Sequence, residues 1–296
     1  MVAGILVCTV ACHRATIPAR TQFLNAEILN QSGQTILVGP ASLSILQRID
    51  NKSWYDHAYQ NYSVDVSVAF DLKPHLDKKR MEIFLGSWCG DSKREVPRML
   101  KVLEMAGMDT SDISLIFVDN STKNYKQSPG HEEKNKNIHH VPSFIIYGGN
   151  KELGRIIETP IVSLEKDLLF ILQQTGYQAN YLAIDYWTKK ISSRMNHMTD
   201  MELQSLVSIL KPICKNSGEL NAYGYVLLAA NKKEESLNVF RLNTMIYPDN
   251  ANVFDSLGEA WETIGNTSEA IIAYQKVLSL KPDDANAKNR ISALKK

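Results

Sequence analysis

The residues best suited to chemistry in this 296-residue chain lie at 86–92, which read GSWCGDS. Cys89 is a candidate nucleophile, because a cysteine thiolate attacks disulfides and other electrophilic sulfur atoms. Ser92 stands three residues later, where a dithiol site would hold a second cysteine. A serine hydroxyl forms no disulfide, so we expect monothiol chemistry: a mixed disulfide, a sulfenic acid or a glutathione adduct that an external thiol removes.

Two elements must position Cys89. Residues 81–85 are a short, mostly apolar run that ends at a glycine, which predicts a buried strand. Residues 91–106 carry apolar side chains at nearly helical spacing, which predicts a helix. Cys89 is therefore expected at a strand-to-helix junction, where backbone N–H groups and the helix dipole favour a thiolate.

A second landmark follows Cys89 by about fifty residues. The segment 141–147, VPSFIIY, predicts a strand that begins near Pro142. Apolar periodicity and turn residues around it predict four more elements. These are a strand at 113–118, a hairpin turn at 148–151, a strand at 154–157 and an amphipathic helix at 164–174.

Together these motifs resemble the thioredoxin family. Trp88 precedes the cysteine as in that family, Lys93 and Pro97 follow it at the family's offsets, and Val141-Pro142 begins a strand. The resemblance covers about residues 60 to 176 and implies an α/β thioredoxin fold, in which helices flank a mixed central sheet. Several motifs at the right spacing carry it, which is more specific than a lone Cys-x-x-Ser.

The resemblance also implies roles for individual residues. Cys89, Ser92, Trp88 and Pro142 are the implied catalytic-site residues, and Val141 and Trp88 are implied to bind substrate. The resemblance also implies a cis-proline at 142 that faces Cys89, and a cis bond before proline costs little. The sequence alone leaves open whether the Val141–Pro142 bond is cis.

Two positions depart from the family pattern. Ser92 removes the resolving thiol, and Ile83 stands where family members bury an acid that assists proton transfer. Both departures affect the release of a mixed disulfide, whereas the attack by Cys89 depends on neither. Two interpretations stay open: Cys89 is a single reactive thiol, or it is a relic in a non-catalytic adaptor.

Other candidate groups add little chemistry. Cys214 lies 125 residues beyond Cys89 and is expected to be a buried structural cysteine. His139 and His140 are expected to be solvated, although a histidine beside Cys89 would tune a thiolate. No Cys/His spacing indicates a zinc site and no glycine-rich loop indicates a phosphate site, so the sequence predicts neither metal nor cofactor.

The N-terminus predicts export. Residues 1–12, MVAGILVCTVAC, are uncharged and almost wholly apolar, but they are too few to span a bilayer. The segment 9–12 resembles a bacterial lipobox, with Thr9 where leucine is usual, and the resemblance implies lipidation of Cys12. We expect a periplasmic or lipid-anchored protein with an external thiol reductant. The alternative is a cytoplasmic protein whose N-terminus is an apolar strand or poorly ordered.

The C-terminal third of the chain contains a sequence repeat. Pro248 and Pro282 are 34 residues apart, which is the tetratricopeptide repeat period. The segments 217–250 and 251–284 resemble two such repeats, and 285–295 resembles a cap helix. Since two repeats are fewer than such arrays usually need, helices within 181–212 are expected to supply another pair. The resemblance implies protein or peptide partners.

The length and composition of the chain agree with a multidomain protein and disfavour nucleic acid as a partner. The 33 basic and 32 acidic side chains give a net charge of +1, which indicates no dedicated nucleic-acid surface. The expected division is a signal or lipobox-like segment at 1–12, an N-terminal extension at 13–60 that partly joins the sheet, a thioredoxin-like domain at 61–176, a helical connector at 177–216 and the repeats at 217–296.

Overall fold

The computed structural model describes residues 25–192 and 198–296. A six-stranded mixed sheet occupies the first half of this chain, and helices make up the second half. The strands are β1 (Ala26–Leu29), β2 (Thr35–Ala41), β3 (Lys79–Leu85), β4 (Ile113–Phe117), β5 (Ser143–Gly148) and β6 (Lys151–Ile157). Their order across the sheet is β1-β2-β4-β3-β5-β6.

β3 lies inside the sheet, parallel to β4 on one side and antiparallel to β5 on the other. Its residue Ile83 is 0% exposed, because both edges of the strand are paired and both faces are covered. The strands predicted at 81–85, 113–118, 141–147 and 154–157 are confirmed, with shifts at their ends. β6 starts at Lys151, earlier than predicted, because the hairpin turn consists of only two residues, Gly149 and Asn150.

Four helices cover one face of the sheet. They are α1 (Ile49–Gln60), α2 (Val66–Leu72), α3 (Gly90–Ala106) and α4 (Leu164–Leu172). Met99 and Leu103 of α3 pack with Phe117 and Ile146 of the sheet in one buried apolar core. The predicted helix at 91–106 is thereby confirmed, and it ends at Gly107, whose φ of 80° suits glycine.

The opposite face of the sheet has a smaller core of its own. Phe84, Ile116 and Ile145 pack there with Ile138 and Val141 of the connection between β4 and β5. That connection, residues 118–142, contains neither helix nor strand. Irregular chain therefore covers the face of the sheet against which Trp88 and Cys89 pack.

The C-terminal half consists of helices that pack in sequence order. They are α5 (Leu182–Tyr186), α6 (Asp200–Leu210), α7 (Ser217–Ala229), α8 (Lys233–Ile246), α9 (Ala251–Ile264), α10 (Thr267–Leu280) and α11 (Ala285–Leu294). The pairs α7–α8 and α9–α10 start where the two predicted repeats start. Helices lie within 181–212 as expected, where α5 packs against α7 and α6 packs against α8.

Two glycines allow close contact within these helix pairs. A Cβ atom on Gly224 would lie 2.6 Å from the ring of Phe240, and one on Gly258 would lie 2.6 Å from the ring of Tyr274. Such distances are too short for real contacts, so the partner ring occupies the space that a side chain would fill. These two glycines therefore let the paired helices pack closely.

Within residues 25–192 and 198–296, every helix is too short or too polar to cross a lipid bilayer. The segment 1–12, with the expected lipidation site Cys12, lies outside the described residues.

Candidate functional site

Cys89 lies at the start of α3, immediately after β3. It is the N-cap residue of the helix, with extended backbone (φ −92°, ψ 124°), and its carbonyl accepts the first helical hydrogen bond from the Lys93 N–H at 3.0 Å. Its side chain is half-buried. A helix N-terminus favours negative charge, because the first N–H groups point toward the residue there. The thiol therefore lies at the strand-to-helix junction that the sequence predicts.

The thiol touches the chain just before Pro142. Cys89 Sγ donates a hydrogen bond to the carbonyl oxygen of Val141 at 3.2 Å. The Val141–Pro142 peptide bond, which the sequence alone left open, is cis, as the resemblance implies. Ser143 then begins β5, and its hydroxyl donates to the carbonyl of His140 at 2.8 Å. The fold therefore brings together the two motifs that stand out in the sequence.

Ser92 is buried and faces the end of β3. Its Oγ accepts a hydrogen bond from the backbone N–H of Gly86 at 3.2 Å, and the residue is 1% exposed. Among the described residues no hydrogen bond joins Ser92 to Cys89. The hydroxyl thus ties the strand to the first turn of α3, in addition to filling the position of a second cysteine.

Trp88 is half-buried beside Cys89. Its indole Nε1–H donates to the carbonyl oxygen of Val118 at 2.9 Å, at the end of β4. The ring lies so close to Gly86 that a Cβ atom there would be 2.5 Å from it. The ring is therefore held against the end of the sheet, and glycine is required beneath it.

Lys126, which sequence reasoning missed, lies over this ring. Its ammonium is 4.2 Å from the centroid of the Trp88 ring and 4.9 Å from that of Tyr125, and the residue is only 6% exposed. Burial lowers the pKa of Lys126 to about 8, and the charge of Cys89 opposes that shift. In the sequence Lys126 is one of several lysines in a polar segment, so nothing there distinguishes it.

The two histidines before Pro142 are packed, not solvated as expected. His139 is 3% exposed, and the two Nδ1 atoms are 2.8 Å apart, so one ring donates to the other. Burial is the main cause that lowers the pKa of His139 to about 3 and that of His140 to about 2. The pair is therefore neutral near pH 7, because the helical half of the chain covers it.

That cover consists of tyrosines from the connector and α7. The ring of His140 stacks on Tyr181 with centroids 3.8 Å apart, and His139 lies edge-on to Tyr223 at 6.2 Å. The Tyr181 hydroxyl donates to Glu158, which follows β6. Tyr125, next to Lys126, lies 5.9 Å from Tyr225. Aromatic contacts thus join the helical half to the irregular connection beside Cys89.

A cleft remains beside these contacts. It has a volume of about 850 Å³ and lies between the irregular connection and α7, with Lys126, Ile138, Tyr223 and Asn231 in its lining. Its walls combine aromatic, amide and cationic groups. An extended peptide segment or a similar polar molecule has the size to enter it.

The other described cysteine is chemically inert by comparison. Cys214 is half-buried, and burial together with the nearby Glu219 carboxylate raises the pKa of its thiol to about 12. A thiol with such a pKa is a poor nucleophile near neutral pH. In the described parts of the chain, no group of three or more His, Cys, Asp or Glu residues is arranged to hold a metal ion.

Comparison with known proteins does not assign a function to this chain. No protein-family model matches the chain, and no curated protein matches it. Thirteen chains of solved structures match, among them one described as a mutant of MamA. That match is 20% identical, covers 38% of this chain and 78% of the other, and has a TM-score of 0.29. A TM-score of this size does not establish a common fold.

Proposed function

We propose that this chain is a thioredoxin-like protein with a tetratricopeptide repeat domain, and that it performs thiol exchange on protein clients through Cys89. One observation carries the proposal: Cys89 caps the N-terminus of α3 and contacts Val141 beside the cis bond to Pro142. A thiol at a helix N-terminus, half-exposed and next to a peptide carbonyl, is placed both to ionise and to meet an extended client segment.

The exchange needs only one protein thiol. The Cys89 thiolate attacks one sulfur of a client disulfide; a Cys89–client bond forms, and the electron pair of the broken S–S bond leaves on the second client sulfur as a thiolate. An external thiolate then attacks the client sulfur of this mixed disulfide, and Cys89 leaves as a thiolate. The external thiol, a small thiol or a reduced protein, ends up bonded to the client sulfur.

Two residues support external resolution. The Ser92 hydroxyl accepts a hydrogen bond from Gly86 and has no thiol to offer. Ile83, fully buried in β3, contributes no carboxyl group for proton transfer. The mixed disulfide is therefore expected to live long enough to be captured.

Val141 and Trp88 are the proposed client-binding groups. The Val141 carbonyl accepts from the Cys89 thiol in the resting protein. Once Cys89 has lost its proton or formed a disulfide, that carbonyl has no donor and is available to a client backbone N–H. The repeats would hold the client or a partner domain, since stacked helix pairs present extended binding surfaces. Lipidation at Cys12 would tether the protein to a membrane facing an oxidising compartment.

The second candidate function is a non-catalytic adaptor that binds clients through the Trp88 and Pro142 surface and the repeats. The hydrogen bond from Cys89 to Val141 favours it, because the sulfur is already engaged by a backbone carbonyl. In that case Cys89 would be a relic and substitution of it would leave function intact.

Trapping in the native host distinguishes the two. Cells are quenched in acid, thiols are blocked, and proteins linked to the chain by disulfides are identified after non-reducing separation. Adducts are expected with the unaltered chain and with Cys214→Ala, and are expected to disappear with Cys89→Ala. If the unaltered chain gives no adducts and a Cys89→Ala strain behaves normally, the adaptor function is the correct one.

A further inference from the structure

Lys126 is a buried cation without an acidic partner. It is 6% exposed, and within the described ranges no carboxylate forms an ion pair with it. Other lysines near the sheet are paired, as Lys136 is with Glu82 at 2.7 Å. Burying a charge lowers the stability of the folded protein unless another group compensates it. We therefore expect a negative group near the ammonium of Lys126.

The backbone holds Lys126 firmly in this position. Its φ is +60°, which is unusual for a residue other than glycine, and its N–H donates to the carbonyl of Asp119 at 3.0 Å. The Asp119 N–H in turn donates to the carbonyl of Gln127 at 2.8 Å. The Asp119 carboxylate accepts hydrogen bonds from Ser121 and Asn124, so the nearest loop acid is committed to its own turn.

The group nearest in the chain to this cation–π contact that can become negative is the thiol of Cys89, which packs with Trp88 against the same small core. The ammonium lies over the ring of Trp88, the residue that precedes Cys89. The charge of Cys89 raises the pKa of Lys126, whereas burial lowers it. For the adjacent Tyr125, burial and the charge of Cys89 both raise the pKa. The carboxylate of Glu158 acts on Lys126 in the same direction as Cys89 does.

We propose that Lys126 is the counter-ion of the Cys89 thiolate, held beside it by the faces of Trp88 and Tyr125. The inference rests on the proposed thiol function and deepens it. Lys126 is a positioning residue: it touches no client atom, and it acts by stabilising the ionised form of Cys89. A cation buried next to a thiol favours the thiolate more strongly than one in water, because little solvent screens the pair.

The test measures alkylation of Cys89 by iodoacetamide, a neutral reagent, between pH 5 and pH 10. Tryptic digestion places Cys89 in the peptide 81–93, which contains no other cysteine, so mass spectrometry follows this thiol alone. Lys126→Met removes the charge and keeps the length of the side chain. Lys123→Met, at an exposed position of the same connection, is the matched control with the same change in net charge.

At pH 7 we expect Lys126→Met to slow alkylation about tenfold. A change of about one unit in the pKa of a thiol, caused by loss of a neighbouring cation, has this effect. The difference should shrink above pH 9, where the thiol ionises without help. Lys123→Met should match the unaltered chain, and Lys126→Arg should recover most of the rate. An equal loss at every pH, or no loss, would overturn the inference.

A reciprocal measurement does not depend on how Lys126→Met folds. In the unaltered chain, lysines are methylated with a carbon-13 label and the NMR signal of Lys126 is titrated before and after Cys89 is blocked with iodoacetamide. Blocking should lower the pKa of Lys126 further below its ordinary value; an unchanged titration overturns the inference. If Cys89 in the unaltered chain reacts at pH 7 no faster than in the isolated peptide 81–93, the proposed thiol function itself fails.

Discussion

The thiol of Cys89 donates a hydrogen bond to the carbonyl oxygen of Val141, although 52 residues separate them in the chain. The contact exists because β3 and β5 are neighbours in the sheet. β3 ends shortly before Cys89, and β5 begins shortly after Val141. It joins a nucleophile to a backbone acceptor at the same edge of the sheet. The monothiol function proposed above depends on this arrangement.

Replacing Ser92 by cysteine should restore part of a dithiol activity. The unaltered chain is expected to reduce insulin weakly with dithiothreitol, because no neighbouring thiol releases the mixed disulfide. Ser92→Cys should raise the rate about tenfold, since an intramolecular thiol has a high effective concentration. Cys89→Ala combined with Ser92→Cys is the control and should be inactive. A Ser92→Cys chain that stays weak would indicate that Ile83 or the lost bond to Gly86 also limits the reaction.

Acid should destabilise the protein through the buried histidine pair. The unfolded chain binds protons on His139 and His140 below about pH 6.5, whereas the folded chain resists them until about pH 3 and about pH 2. The free energy of unfolding should therefore fall as pH drops from about 6.5, by at most about 1.4 kcal/mol per pH unit for each histidine. Urea unfolding at a series of pH values measures the slope.

His139→Asn provides the comparison for that slope, because an amide can replace the Nδ1 contact without titrating. This variant should be less stable at pH 7 but should lose less stability on acidification. His57→Asn, at an exposed position of α1, should keep the slope of the unaltered chain. Identical slopes for all three chains would show that the pair is not buried in solution.

Gly258→Ala should destabilise the helical half. The added Cβ would meet the ring of Tyr274 at 2.6 Å, and overpacking of this kind costs about 1–3 kcal/mol even though alanine favours the helix. Gly90→Ala is a matched control, because the same substitution at the start of α3 meets no atom within 4 Å. Urea unfolding followed by circular dichroism should show the loss for Gly258→Ala alone. Equal stability of both variants would contradict the close packing of α9 on α10.

Glu219→Ala should loosen the connector from the repeats. The carboxylate of Glu219, fully buried in α7, accepts from the N–H groups of Ala183 at 2.9 Å, Ile184 at 3.2 Å and Lys215 at 2.7 Å. Removing it leaves three donors without an acceptor, at a cost of about 3 kcal/mol or more.

Hydrogen exchange should report this loss as faster exchange of the Ala183 and Ile184 amides. Glu269→Ala, in the exposed first turn of α10, is the control and should change the free energy of unfolding by less than about 0.5 kcal/mol. Protection at Ala183 that survives Glu219→Ala would mean that the carboxylate does not hold α5 in place.

Much of the local structure could be predicted because it follows from local patterns. The apolar run at 81–85 and the helical periodicity at 91–106 placed Cys89 at a junction of two elements, and the 34-residue spacing of Pro248 and Pro282 placed two helix pairs. These signals are carried by residues close together in the chain. The solvated histidines were predicted wrongly, because their cover comes from Tyr181 and Tyr223, far along the chain.

The sequence by itself determined which groups are available: one cysteine at 89, serine in place of a second thiol at 92, isoleucine in place of an acid at 83, and helices in tandem pairs. Only the tertiary structure decided their environment. It set Cys89 against Val141, bound Ser92 to Gly86 and buried Lys126 over Trp88. Burial and charge pairing arise where distant segments meet, so the electrostatics of the thiol is a property of the packed chain and no local pattern encodes it.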